Sequence, residues 1–312
     1  MKRVLSGVMI AAVAVMGVVL FMHSTGEKAK KVDFSKVEVG ETLPQDKETI
    51  RIAVSAMISP KETISVYKKI LDYIGRKLGK PVELIQRKTY TEVNDLIEKG
   101  EIDTAFVCTG PYIQGRKKFG LEVLVAPEVR GESVYYAYII VRKNSSLQDF
   151  TELKGKSFAF TDPLSNTGCF VIKYALAKMG QTPESFFKNY IFTNGHDNSI
   201  QAVAEGVVDG AAVDHLVWEY LHATNPQFTA QTKIIKKIGP FGMPPFVCRP
   251  GYNPLMKEKI KQVLLDMHKD QEGKDILSKL FIDRFITVDD SSYDSVRQMQ
   301  DWIENNEATK DK

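Results

Sequence analysis

Leu153-Lys154-Gly155-Lys156-Ser157-Phe158-Ala159-Phe160-Thr161-Asp162-Pro163-Leu164-Ser165-Asn166-Thr167-Gly168 reads as a strand that runs into a polar turn and then into a helix. The aromatic strand covers Ser157 to Phe160, the turn Thr161 to Gly168, and helical spacing takes over from about Cys169 to Met179. The same alternation has already run once upstream. Ile50 to Ala56 alternates as a strand that ends at Ser59-Pro60, and Ile64, Tyr67, Ile70, Leu71, Ile74 and Leu78 then recur at helical spacing until Gly79. Val82 to Ile85 is the next strand, Thr91 to Lys99 a short helix closed by Gly100, and Asp103 to Cys108 a buried strand. Such a β-α-β-α-β run implies parallel strands joined by crossover helices. Its restart at Leu153 predicts a second lobe of the same α/β kind.

A helix to Lys118, the strand Leu121 to Ala126 and the strand Tyr135 to Arg142 carry the chain from one lobe to the other. After the restart come a strand Tyr190 to Thr193, a helix Ser199 to Glu205 stopped by Gly206, a strand Val208 to Val213 ending at Asp214, a helix His215 to Thr224 and a strand Ile234 to Ile238. Pro240 to Pro245, with three prolines and one glycine, predicts a fixed loop that returns the chain to the first lobe through Phe246 to Arg249. Helices Pro254 to Lys269, Gly273 to Phe281 and Tyr293 to Glu304 finish it. The expected organisation is a first lobe of residues 48–138 plus 244–305, a second of 139–243, and a polar tail 306–312.

The net charge of +3 over 312 residues excludes the clustered basic surface that nucleic-acid binding requires, and a hydrophobic share of 43% excludes disorder. Residues 1–31 carry five basic residues against one acidic, so the remaining chain has a net charge of −1. Lys2 and Arg3 precede an apolar run from Val8 to Met22, the layout of an export signal, and Ser24-Thr25-Gly26 is a poor cleavage site. Residues 1–31 are therefore read as a signal peptide or an uncleaved anchor, and 32–47 as a tether, with the body facing an extracytoplasmic space. Cys108, Cys169 and Cys248 form no disulfide framework; three small buried residues, or one pair and a thiol, are the readings left open.

Phosphate-loop, dinucleotide, serine-hydrolase and zinc-protease motifs are all missing, so neither catalysis nor a cofactor or metal is predicted. His215 and His222, seven apart, read as surface or groove residues. Ser165, Asn166, Thr167 and Gly168 stand where a strand meets a helix. They either cap free N–H groups or, with the helix dipole, receive an oxyanion. His196 follows a strand of the same half and so lies at the same sheet end, where it can donate to an anion. Asp214 ends the next strand and can accept from a protonated oxyanion, pair with an amine, or cap the following helix. Tyr90 and Tyr136 are the tyrosines expected at the cleft.

Taken in order, Ser59-Pro60-Lys61-Glu62-Thr63, Tyr90 before Val93, Gly100 to Phe106, Leu153 to Phe160, Ser165-Asn166-Thr167-Gly168, Gly195-His196-Asp197-Asn198-Ser199-Ile200 and Gly206 to Asp214 resemble the phosphate/phosphite/phosphonate-binding proteins of ABC transporters. The resemblance spans roughly residues 50 to 250; Asn166 stands where that family commonly has Thr. It implies a type II periplasmic-binding-protein fold, with two α/β lobes, two crossing strands and a ligand enclosed by hinge closure. It further implies a monomer that holds a small anionic phosphorus ligand through the serine-rich turn and the His, and hands it to an ABC permease. An anchored sensor of the same fold, or a binder of a sulfonate or a thiamine precursor, are the alternatives.

Overall fold

The computed structural model describes residues 49–55, 57 and 60–307, with backbone alone for residues 60–66, 306 and 307. The apolar run, the tether, Ser59 and the last five residues of the expected polar tail lie outside the described residues. In chain order the elements are β1 (Ile50–Val54), α1 (Pro60–Leu78), β2 (Val82–Gln86), α2 (Tyr90–Glu98), β3 (Thr104–Phe106), α3 (Thr109–Phe119), β4 (Glu122–Val129), β5 (Val134–Arg142) and β6 (Ser157–Phe160). A π-helical turn, Asn166–Phe170, then leads into α4 (Val171–Lys178), followed by α5 (Pro183–Phe186), β7 (Asn189–Phe192), α6 (His196–Glu205), β8 (Gly210–Asp214) and α7 (His215–Thr224). The chain closes with β9 (Thr232–Gly242), β10 (Phe246–Cys248), α8 (Pro254–Asp266), α9 (Gln271–Ser278), β11 (Ile282–Ile286) and α10 (Asp294–Glu307).

Two sheets result, ordered β11-β4-β10-β3-β1-β2 and β7-β6-β8-β5-β9. Within the first, β1 is parallel to β2 and β3; within the second, β6 is parallel to β7 and β8. Strand alternation explains why both sheets are covered on both faces. Ile50, Ile52 and Val54 of β1 enter one apolar cluster and Ala53 enters another; Phe158 and Phe160 of β6 enter a third and Ala159 a fourth. Two segments, 130–133 and 243–245, pass between the sheets, since β4 pairs with β10 in one and β5 with β9 in the other. The crossing therefore falls before Val134 rather than after Tyr138: Val134 already pairs with Gly242 in the second sheet.

Other boundaries also differ from the sequence reading. Helical backbone starts at Asn166 and at His196 rather than at Cys169 and Ser199, and α10 runs to Glu307, into the expected tail. β9 continues through Pro240 to Gly242 because it is an edge strand, where the missing proline N–H has no ladder partner to lose; only 243–245 remain as a loop. β11 escaped detection because only Phe285 of its five residues is buried.

The lobes share an apolar cluster, in which Val171 and Tyr174 meet Tyr293, Val296 and Met299, and main-chain hydrogen bonds join them at the strand ends. The amide of Tyr90 donates to Asp162 Oδ2 at 3.1 Å, and the amide of His196 donates to the Met57 carbonyl at 2.9 Å. Gly110, at the start of α3, lies so close to the turn after β6 that a Cβ there would stand 1.9 Å from the Leu164 carbonyl oxygen. Gly110→Ala is therefore expected to wedge the lobes apart and leave both sheets folded. Amide exchange at Tyr90 and His196 should quicken roughly tenfold while Ala105 and Ala212 keep their protection; unchanged exchange at Tyr90 and His196 would contradict this reading of the contact.

Candidate functional site

Five helical segments begin at one place, the carboxyl ends of parallel strands in the two sheets. Tyr90 opens α2, Cys108 is the N-cap of α3, Asn166 opens the π-helical turn, His196 opens α6, and Asp214 is the N-cap of α7. The free N–H groups of a helix start and its positive dipole end favour negative charge, and ligands of open α/β sheets bind at this edge.

His196 is fully buried and its protonation is decided by its neighbours. Its Nδ1 accepts from the Asp214 amide at 3.1 Å and lies 2.9 Å from Thr161 Oγ1. An obligate donor at Nδ1 leaves the proton on Nε2. Burial drives the imidazole down to about 3, so the ring is neutral at physiological pH and Nε2 is an N–H donor without a partner among the described residues. Asp214 accepts from the Leu216 amide at 2.8 Å, which bears out its capping role, and burial pushes its carboxyl up to about 7. His215 is buried rather than on the surface: its Nδ1 accepts from the Tyr136 amide at 3.1 Å, and burial lowers it to about 4. Its 3.8 Å approach to Asp214 is thus no ion pair.

In the serine-rich turn the four residues divide into two roles. Ser165 Oγ accepts from the Gly168 amide at 3.0 Å, so Ser165 is the cap and the Gly168 N–H is engaged. A Cβ on Gly168 would meet Thr161 Oγ1 at 2.5 Å, so glycine serves here for close packing rather than as an anion donor. Asn166 donates from Nδ2 to the Tyr135 hydroxyl at 3.0 Å, which leaves Asn166 Oδ1 and Thr167 Oγ1 buried and without partners.

Tyr136 is not brought to this place. Its ring stands edge-to-face on His215 at 5.3 Å with the Lys237 ammonium 3.6 Å from its centroid, on the side opposite the fully buried Tyr135. One step along a strand reverses the side chain, and Tyr135, not Tyr136, faces inward. Tyr90 is there: fully buried, its hydroxyl unpartnered and its phenol pushed well up by burial and by neighbours that include Cys108, Asp162 and Asp214. Ser55, at the end of β1, adds a fifth unpartnered buried polar atom; the Ser55 amide donates to the Phe106 carbonyl at 2.9 Å and the Met57 amide to the Ser55 carbonyl at 2.6 Å. Sequence reasoning missed Ser55, Tyr135, Thr161 and Asp162. Asp162, before a proline in the decisive turn, carried a signal, and it ties the lobes by accepting from the Tyr90 amide. No disulfide joins Cys108, Cys169 and Cys248, and among the described residues no Lys or Arg is buried.

Residues 52–293 match the family model described as the ABC transporter, phosphonate, periplasmic substrate-binding protein. The chain belongs to this family. The family is one of periplasmic substrate-binding proteins of ABC transporters, and the chain resembles several of its members. It is 24% identical over 280 residues, 81% of this chain and 85% of the relative, to the "Phosphate-import protein PhnD" of Mycolicibacterium smegmatis. The binding-protein component of an ABC phosphonate transporter from Pseudomonas aeruginosa superposes with a TM-score of 0.79 at 21% identity, covering 85% of this chain and 89% of that one. PhnD1 of Prochlorococcus marinus, solved with methylphosphonate, superposes at 0.75 with 18% identity, over 82% and 98%. These likenesses show the type II periplasmic-binding-protein fold. Among the described residues no helix is long and apolar enough to cross a membrane; the run from Val8 lies outside them.

Two of the buried titratable groups, Asp214 and His196, pull stability in opposite directions. Asp214, raised from 3.8 to about 7, stays protonated in the fold while the unfolded chain ionises, so its effect lowers stability as pH rises between about 4 and 7. His196, lowered from 6.5 to about 3, has the opposite sign: its effect raises stability as pH rises between about 3 and 6.5. Asp214→Asn keeps the cap and deletes only the first effect. Its unfolding free energy minus that of the parent should grow by up to ~1.4 kcal/mol per pH unit from pH 4 to 7 and then level off. Denaturant titrations at four pH values measure it, and a difference independent of pH would contradict the burial-raised carboxyl.

Proposed function

We propose that this chain is an extracytoplasmic solute-binding protein that captures a phosphorus oxyanion, a phosphonate, phosphite or phosphate, between its lobes and presents it to an ABC permease. One observation carries the reading: five buried polar atoms, Ser55 Oγ, Tyr90 OH, Asn166 Oδ1, Thr167 Oγ1 and His196 Nε2, come from both lobes to the same strand ends without protein partners. Buried polar groups are ordinarily hydrogen-bonded, so a set without partners is a set of ligand contacts. Four of the five can donate, and no buried cation accompanies them. Neutral donors and helix N-termini suit a tetrahedral oxyanion whose charge is spread over several oxygens. Asn166 Oδ1 and the half-neutral Asp214 supply acceptors for a protonated oxygen. The apolar run after Lys2 and Arg3 supports export, with the anchor retained or removed, and the family's role in transport supports a permease as partner.

Closure couples binding to a shape that a permease recognises, because two of the hydrogen bonds that join the lobes, from the amides of Tyr90 and His196, flank the ligand contacts. Calorimetric titration with phosphate, phosphite, methylphosphonate and 2-aminoethylphosphonate tests the reading. At least one is expected to bind, and Thr167→Ala and His196→Ala should each weaken it roughly 10- to 100-fold, the worth of a hydrogen bond to a charged group. Absence of heat with all four, or full affinity in both variants, would refute it.

A further inference from the structure

Beside the oxyanion contacts lies a pocket of different character, with a volume of about 130 Å³. Met57, Tyr67, Phe106 and Pro245 line it from the first lobe, and Leu216 and Val217 from the second. Asp214 lines it too and so is shared with the cluster: the Asp214 amide donates to His196 Nδ1, and the His196 amide donates to the carbonyl of Met57. The pocket therefore adjoins the oxyanion contacts through Asp214 and is lined from both lobes.

Its wall offers little to a charged group. Arg130 and Glu219, which also border it, pair with each other at 2.5 Å and are partly exposed. Asp214 is committed through Oδ1 to the Leu216 amide, and the Tyr67 phenol stands in its electrostatic reach. The remaining lining is predominantly aliphatic, aromatic and proline. Removing such a surface from water is favourable when an apolar group covers it, and an apolar cavity of ~150 Å³ accepts a benzene ring.

We propose that this pocket holds the uncharged organic substituent on the ligand's phosphorus, so that the chain prefers alkyl- or arylphosphonates, up to about phenyl size, over inorganic phosphate and over aminoalkylphosphonates. This rests on the oxyanion reading, since the substituent reaches the pocket only when the phosphonate oxygens occupy the cluster on the far side of Asp214. The ligand's chemistry is then a split one, with neutral donors at one end and an apolar sleeve at the other.

The test is a calorimetric series on the full-length protein with phosphate, methyl-, n-butyl-, phenyl- and 2-aminoethylphosphonate. Affinity is expected to rise roughly tenfold or more from methyl to butyl or phenyl, with the aminoethyl compound below them. In Val217→Phe, which fills the pocket from α7, the butyl-to-methyl affinity ratio should collapse towards one. Equal or falling affinity from methyl to butyl and phenyl, or tightest binding of the aminoethyl compound, overturns the pocket assignment and leaves the oxyanion reading standing. Silence with every compound overturns both. The ligand series on the unmodified protein decides the matter even where the variant fails to fold.

Discussion

A polar group sealed from water costs free energy unless something hydrogen-bonds it, and this molecule seals five of them together. The rest of the architecture serves that arrangement. Parallel strands in each sheet end at a common edge, the next helix begins there, and these helix starts bring polar side chains to the same place. Where the protein can satisfy itself it does: Ser165 holds the Gly168 amide, Asp214 holds the Leu216 amide, and Asp162 holds the amide of Tyr90 across the cleft. Ser55 Oγ, Tyr90 OH, Asn166 Oδ1, Thr167 Oγ1 and His196 Nε2 are left over at this edge; Asn94 Oδ1, Thr104 Oγ1, Asp266 Oδ1 and His268 Nδ1 are the other buried atoms without partners among the described residues.

Electrostatics without fixed cations gives such a site its character. Burial removes the charge of His196 and its Nδ1 is occupied by a main-chain donor, so the ring serves as a directional N–H rather than as a counter-ion. Burial likewise weakens the negative charge of Asp214, which would otherwise repel an anion at close range. Residues 32–312 carry a net charge of −1, so no overall basic charge supplies the attraction.

The local grammar of strand, turn and helix made much of this readable. Asn166, Thr167, His196 and Asp214 are conspicuous because they gather at strand-to-helix junctions, where capping also places polar residues and does account for Asp214. Tyr135 was less accessible to reading than Tyr136 because alternation says that neighbours oppose each other, while the face that turns inward is set by how β5 registers between β8 and β9. Ser55 and Asp162 matter only once the lobes meet; Asp162 accepts from the amide of Tyr90, 72 positions away, a relation that no local pattern encodes. Gly168 was legible as special but for the wrong reason: its lack of a side chain lets the turn lie against Thr161. Edge elements were the weakest, since β11 buries a single residue and β9 runs through a proline.

The central claim is that a neutral His196 donates from Nε2 to the bound oxyanion. Nitrogen NMR of the imidazole, recorded between pH 5 and 8 with and without methylphosphonate, addresses it directly. The account predicts the neutral Nε2–H tautomer throughout, with the Nε2 proton moving downfield and coupling to phosphorus when the ligand binds. An imidazolium in the complex, a proton on Nδ1, or an Nε2 signal indifferent to the ligand would contradict it.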